Sequence, residues 1–245
     1  MTFCLGMCVQ EGLVGIADTS ITSGNEVTIA RKIKSFSIAN GRFFLMTSGL
    51  RSVRDKTLTY FEDDLDSGLL DECTRLYKVV NGLSDSIRKV ASEDRAALLE
   101  SGLGFDIQAL VGGRLSGDGG HKLYLVYPEG NWVEVGQNTP YSIIGARGYG
   151  KPVLDRTLVF TDSLLFALKV GCLAFDSTRI SASGVDFPID VVLYYSATGE
   201  LVEHRYKYTD FQEISTWWQD RLRSLVEELP SEWIENVASK LERVK

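Results

Sequence analysis

The sequence predicts an α+β fold, with antiparallel sheets and helices layered outside them. Three observations carry that expectation. Strand patterns and helix patterns arrive in separate blocks: strands, two helices, strands, two helices, strands and a helical tail. Such grouping favours antiparallel sheets over alternating βαβ units. Two strand pairs are joined by turns short enough to demand hairpins, at Glu11-Gly12 and Asn40-Gly41. A long stretch, residues 71–99, places Leu76, Val79, Val80, Leu83, Ile87 and Val90 at helical spacing on one apolar face.

Taken in order, the apolar pattern begins at the first residue, so residues 1–9 read as a strand with Thr2 held at the mouth of a sheet. Residues 13–17 return and end at Asp18. Residues 19–26, rich in Ser, Thr, Gly and Asn, read as a loop. Residues 30–38 and 42–47 make the second hairpin, so the sheet is expected to open with four consecutive antiparallel strands. Ser48-Gly49 leads into a helix over 50–65, and the helix over 71–99 follows.

A strand over 105–111 comes next. Gly112 to Gly120 has the glycine content of a phosphate loop but lacks the GxxxxGK[ST] spacing and joins two strands. It is expected as a flexible hairpin loop. Strands are expected over 121–127, 132–135 and 141–145. Helices follow over 151–159 and 162–175, the second capped by Thr161 or Asp162 and closed at Asp176-Ser177-Thr178. Residues 189–195 and 201–208 form a hairpin around Thr198-Gly199. Residues 211–244 are helical with a break at Pro230. The tail's Trp217, Trp218, Leu222, Leu225, Val226 and Trp233 suit docking on the body or on a neighbouring subunit. No Pro/Ser-rich linker and no internal repeat divides the chain. It reads as one domain, 1–245, with 211–245 a C-terminal helical extension.

The 245 residues are 44% hydrophobic and 24% charged, the balance of a globular protein with material for a core. No apolar run reaches membrane-spanning length and no signal peptide is evident, so a cytoplasmic protein is expected. A net charge of -7 argues against nucleic acid and anionic membranes as partners. The four cysteines, Cys4, Cys8, Cys73 and Cys172, are expected as reduced, packed thiols. Cys4 and Cys8 lie about 13 Å apart on a strand, too far to share a metal. His121 and His204 have no metal-ligand spacing, and no cofactor is expected.

Chemistry is expected where strand ends converge. In a hairpin, the start of the first strand lies beside the end of the second, so Thr2 and Asp18 emerge at one rim. Arg31, Lys32 and Lys34 lie near the start of the next strand, within reach of Asp18. Gly49 ends the fourth strand at that rim, where a glycine N–H is open to a carbonyl oxygen. Removal of Met1 would leave Thr2 with a nucleophilic hydroxyl and a basic amine on one residue. These parts make an acyl-transfer site: Thr2 attacks, its α-amine takes the proton, Lys32 held by Asp18 supports both, and Gly49 supports the oxyanion.

Each part also has a plain explanation. Asp18 suits a turn, Lys32 and Lys34 suit charges that protect an edge strand, and Ser48-Gly49 suits the start of a helix. The chemical reading rests on their convergence. Lys32 and Lys34 are expected on the same face of the strand, so spacing does not choose between them.

At Thr2, Ala17-Asp18-Thr19, the Gly24 loop, Arg31-Lys32-Ile33, Thr47-Ser48-Gly49, Phe175-Asp176-Ser177-Thr178 and Pro188-Ile189-Asp190 the sequence resembles the proteasome β-type N-terminal nucleophile hydrolases. Within them it is similar to the bacterial Anbu (ancestral β-subunit) group, over nearly the whole chain. The resemblance implies a four-layer αββα sandwich and a threonine peptidase acting on peptides or unfolded protein. It also implies a homo-oligomeric ring or open spiral. It puts the nucleophile at Thr2, the aspartate at Asp18, the lysine at Lys32 with Lys34 as the other choice, and the oxyanion glycine at Gly49. Two positions depart from the family pattern. Ser20 stands where many members have arginine. In Ser181-Ala182-Ser183-Gly184 alanine takes the place of an aspartate near the amine, leaving Ser181 or Ser183 to orient it. The other reading is a non-catalytic scaffolding member of the same fold. The absence of a plugging extension and the presence of Thr2, Asp18 and Lys32 speak against it.

Overall fold

The computed structural model describes residues 2–23 and 26–242; Met1 and Gly24, which bear on the expectations above, lie outside them. The chain divides into two compact units, Met1–Tyr208 and Thr209–Lys245.

The first unit opens with β1 (Phe3–Val9) and β2 (Gly12–Asp18), joined by the expected tight turn. Residues expected as a loop instead form a two-stranded ribbon, β3 (Ser20–Ser23) with β4 (Glu26–Ile29). Polar composition suggested a loop, but β-branched residues such as Ile21, Thr28 and Ile29 favour extended backbone. Next come β5 (Ile33–Ile38), β6 (Gly41–Gly49), α1 (Arg51–Asp66) and α2 (Leu76–Glu100). Then β7 (Ile107–Leu115), β8 (Lys122–Val126), β9 (Trp132–Glu134) and β10 (Tyr141–Gly145) follow. The unit closes with α3 (Lys151–Thr157), α4 (Leu164–Ser181), β11 (Ile189–Tyr195) and β12 (Glu200–Tyr206).

The first four long strands do not open one sheet. β1 and β2 belong to a five-stranded sheet ordered β10-β1-β2-β11-β12, and β5 and β6 to another ordered β5-β6-β7-β8-β9. All pairings are antiparallel. Local turn signals identify hairpins but carry no information about which sheet a hairpin joins.

Side-chain alternation explains the layers. Cys4, Cys8, Leu13, Ala17 and Val192 of the first sheet meet Phe44, Met46, Leu110 and Leu123 of the second in one core. The opposite face of the second sheet, with Phe43, Leu45, Val111 and Val126, packs on Val53, Phe61, Val79, Leu83 and Ile87 of α1 and α2. On the far side, α4 lies so close to the first sheet that a Cβ on Gly171 would sit 2.5 Å from Met7 and 2.7 Å from Ile16. The order is helices, sheet, sheet, helices. Because both faces of β1 and β2 are covered, every residue of both strands is buried.

Three further expectations are corrected. Gly112 and Gly113 are not in a loop; β7 runs through them to Leu115. A Cβ on Gly112 would lie 2.4 Å from the ring of Phe44, so glycine is there to make room in the core. α4 does not stop at residue 175 but runs on to Ser181, with the Ser177 and Thr178 hydroxyls donating to the carbonyls of Leu173 and Ala174 one turn back. Its cap is Ser163, whose side chain accepts from Phe166 N–H.

The second unit carries most of α5 (Tyr208–Glu227), a short 3₁₀ turn (Glu232–Ile234) and α6 (Glu235–Glu242), with the expected break at Pro230. No helix among the described residues is long and apolar enough to cross a membrane.

Candidate active site

Asp18 ends β2, and its side chain turns into the protein beside the start of β1. Its Oδ1 accepts from Phe3 N–H at 2.7 Å and from Lys32 Nζ at 2.7 Å. Lys32 Nζ also donates to the Ser20 carbonyl at 2.7 Å. The side chains of Asp18 and Lys32 are both 0% exposed. Asp18 Oδ2 is buried and has no hydrogen-bond partner among the described residues. Burial pushes the Asp18 carboxyl above its ordinary value, opposed by the Lys32 ammonium and the Phe3 N–H. The neighbouring Cys4 thiol is pushed up to about 12 by burial, so it stays protonated beside the pair.

Thr2 is half-buried and one peptide unit from the bond between Phe3 and Asp18. Its carbonyl accepts from Ala146 N–H at 2.7 Å, which ties the start of the chain to the end of β10. Gly145 makes that approach possible. At φ +86° it occupies the left-handed region, and a Cβ there would lie 2.0 Å from the Thr2 carbonyl oxygen.

Gly49, the last residue of β6, has φ +122°, and a Cβ would lie 2.3 Å from the Asp106 carbonyl oxygen. That carbonyl accepts from Leu50 N–H at 2.9 Å, which sets the start of α1. The backbone geometry therefore requires glycine here whatever its chemical role. The start of β1 thus has a buried ammonium–carboxylate pair one peptide unit from a hydroxyl residue, and Gly49 is exposed at the end of β6. Among the described residues no three His, Cys, Asp or Glu side chains gather where they could share a metal ion.

No family model and no curated protein matches the sequence. Solved structures do match. Anbu from Hyphomicrobium sp. strain MC1 is 28% identical, with a TM-score of 0.83 over 93% of this chain and 98% of its own. Anbu (ancestral beta-subunit) from Yersinia bercovieri is 25% identical, with a TM-score of 0.85 over 93% and 98%. The helical assembly of the Anbu complex from Pseudomonas aeruginosa is 26% identical, with a TM-score of 0.86 over 94% and 97%. The fold is Anbu-like and proteasome-type.

Within this Anbu-like fold the two candidate lysines separate. Lys32 precedes β5, so strand alternation does not reach it, and its side chain turns inward to Asp18. Lys34 lies in β5, is exposed and pairs with Glu62 on α1. The two do not share a face. Arg31 reaches Glu203 instead of Asp18. Ser181 and Ser183 are both exposed, on either side of the buried Ala182.

Three contributors to the candidate site went unseen in the sequence: the Phe3 N–H, the Ser20 carbonyl and Gly145. Two are main-chain groups, which every residue carries, and Gly145 matters only because β10 pairs with β1. No residue-type signal could have found them.

Proposed function

We propose that this chain is a threonine-type peptidase, an amide hydrolase that works from Thr2 once Met1 is removed. The observation that carries the reading is the buried Lys32–Asp18 pair, tied through Asp18 to the N–H of Phe3, the residue bonded to Thr2. Burying two charges is costly, and perturbed ionisable groups cluster at functional sites.

In the proposed reaction Thr2 Oγ attacks the scissile carbonyl and its proton passes to the free α-amine, directly or through one water. An unperturbed α-amine titrates at about 7.7–8.0, suited to a base at neutral pH. Lys32, held by Asp18 and the Ser20 carbonyl, favours the neutral amine and the developing alkoxide. Gly49 N–H meets the oxyanion, a donor of a kind worth roughly 2.7–4 kcal/mol. The intermediate collapses, the leaving amine takes the proton back, and an ester remains on Thr2. Water, giving a proton to the α-amine, then cleaves the ester and restores Thr2. Ser181 or Ser183 is assigned to orient the amine.

The substrates would be peptides or unfolded protein, and no cofactor enters the reaction. The helical assembly of the Pseudomonas aeruginosa protein supports a homo-oligomer, ring or open spiral, for this chain too. We place it in the cytoplasm, without nucleic-acid or membrane partners. We take 1–245 as one catalytic domain with 211–245 its helical extension.

Intact-mass spectrometry after incubation with a peptide epoxyketone or β-lactone tests the reading. Loss of Met1 and a single adduct on Thr2 are expected, with no adduct on a Thr2→Ala variant. A folded assembly that retains Met1 would refute it, because an amide nitrogen is no base. Unchanged behaviour of Thr2→Ala in every assay of the native partner would favour the scaffolding reading.

A further inference from the structure

At the other end of β1, about 20 Å from Thr2 by the usual strand rise, Cys8 lines a cavity of about 590 Å³. That volume lies within the range of roughly 300–1,000 Å³ typical of small-molecule sites. Nothing in the proposed peptidase chemistry uses it. Its walls include Tyr77 at the start of α2, Tyr124 on β8, Trp132 on β9 and Phe160.

The rings are held in place. Trp132 Nε1 donates to Asn81 Oδ1 at 2.8 Å. Tyr124 meets the indole edge-on with centroids 5.1 Å apart, and Tyr77 lies tilted at 6.4 Å. Tyr77 and Trp132 are half-buried, so neither ring is closed off from solvent.

Most polar groups on the walls are already occupied. Asp118 Oδ2 accepts the N–H groups of Leu76 and Leu115, each at 3.0 Å. Lys122 pairs with Glu134 at 2.6 Å. Both ring nitrogens of His121 are engaged, by Val9 and Ser196. Arg75 differs: it lines the same cavity, is exposed, and its guanidinium has no ion pair or hydrogen bond among the described residues. A guanidinium with an open fork is a receptor for a carboxylate, which it can grip with two parallel hydrogen bonds. Fixed aromatic walls beside it favour a flat apolar body through stacking.

We infer that this cavity binds a small aromatic carboxylate, its ring against Tyr77 and Trp132 and its acid group on Arg75. The same chemistry is offered by a free aromatic acid and by the C-terminal aromatic residue of a peptide.

Calorimetric titration of the full chain with N-acetyltryptophan, its amide and the peptide Ala-Ala-Trp tests the assignment. The acid should bind saturably and the amide at least tenfold more weakly. Arg75→Gln should remove that difference, and as an exposed position it should leave thermal unfolding unchanged. Trp132→Leu should weaken acid and amide alike by tenfold or more. A peptide tighter than the free acid identifies a chain terminus as the ligand; the reverse identifies a free acid.

No saturation with any probe at millimolar concentration overturns the inference, as does equal binding of acid and amide. Thr2→Ala should bind all three probes unchanged, which separates this site from the peptidase reading. Loss of binding in Thr2→Ala would put the probes at the other rim and overturn the assignment.

Discussion

Lys32 and Lys34 sit two positions apart, yet one is sealed against a carboxylate and the other stands in solvent. The difference predicts unequal costs of removal. Lys32→Met leaves the Asp18 carboxylate buried and unpaired, a change that costs about 3–5 kcal/mol of stability. Lys34→Met breaks only an exposed pair with Glu62, worth at most about 1 kcal/mol. Urea unfolding of the two variants should show this gap, and equal midpoints would mean that the buried pair does not bear on stability. Since Lys32→Met weakens the fold, its loss of activity alone says little about catalysis. The adduct on Thr2 is the cleaner readout.

The strands β7 and β8 show how one glycine-rich stretch divides into two kinds of structure. Gly112 sits in the sheet under the Phe44 ring, whereas a Cβ on Gly119 would meet nothing within 4 Å. Gly112→Ala is therefore expected to cost about 1–3 kcal/mol through overpacking. Gly119→Ala should stay within about 0.5 kcal/mol. Thermal melts of both would reveal the contrast, and a neutral Gly112→Ala would mean that the Phe44 ring yields easily.

His121, just before β8, joins the two sheets at the rim away from Thr2. Its Nε2 donates to the Val9 carbonyl at 2.8 Å and its Nδ1 accepts from Ser196 Oγ–H at 3.0 Å. Burial holds its pKa below the usual value of 6.5, opposed by the bond to Val9. The unfolded chain therefore binds the proton more readily. The stability His121 contributes is complete above about pH 6.5 and declines as pH falls through the lowered folded value. His121→Gln should flatten that part of the pH–stability curve, and an unaltered slope would remove His121 as its source.

For the whole molecule, the two-sheet sandwich puts the candidate site and the aromatic cavity at opposite rims of one layer. A single rigid strand, β1, has one end at each. The second unit exposes Trp217, Leu225, Val226, Trp233 and Val237, residue types that mark protein–protein contacts where they form a patch. That surface agrees with the homo-oligomer proposed above. Sedimentation of the purified full chain should show species larger than one chain at micromolar concentration. A strictly monomeric protein would contradict the assembly reading.

Hairpins at Glu11-Gly12 and Asn40-Gly41, the amphipathic face of α2 and the return of Asp18 to the start of β1 were all legible from residue order. Turn chemistry, hydrophobic period and chain reversal act over a few neighbours, and that information is written locally. The tertiary structure alone decided that β1–β2 and β5–β6 lie in different sheets, and that Gly112 makes room for a ring. It alone turned Lys32 inward and Lys34 outward, and enlisted the Ser20 carbonyl. Those outcomes depend on which surfaces meet across the core, where burial and the need to satisfy every buried charge select among locally equivalent choices.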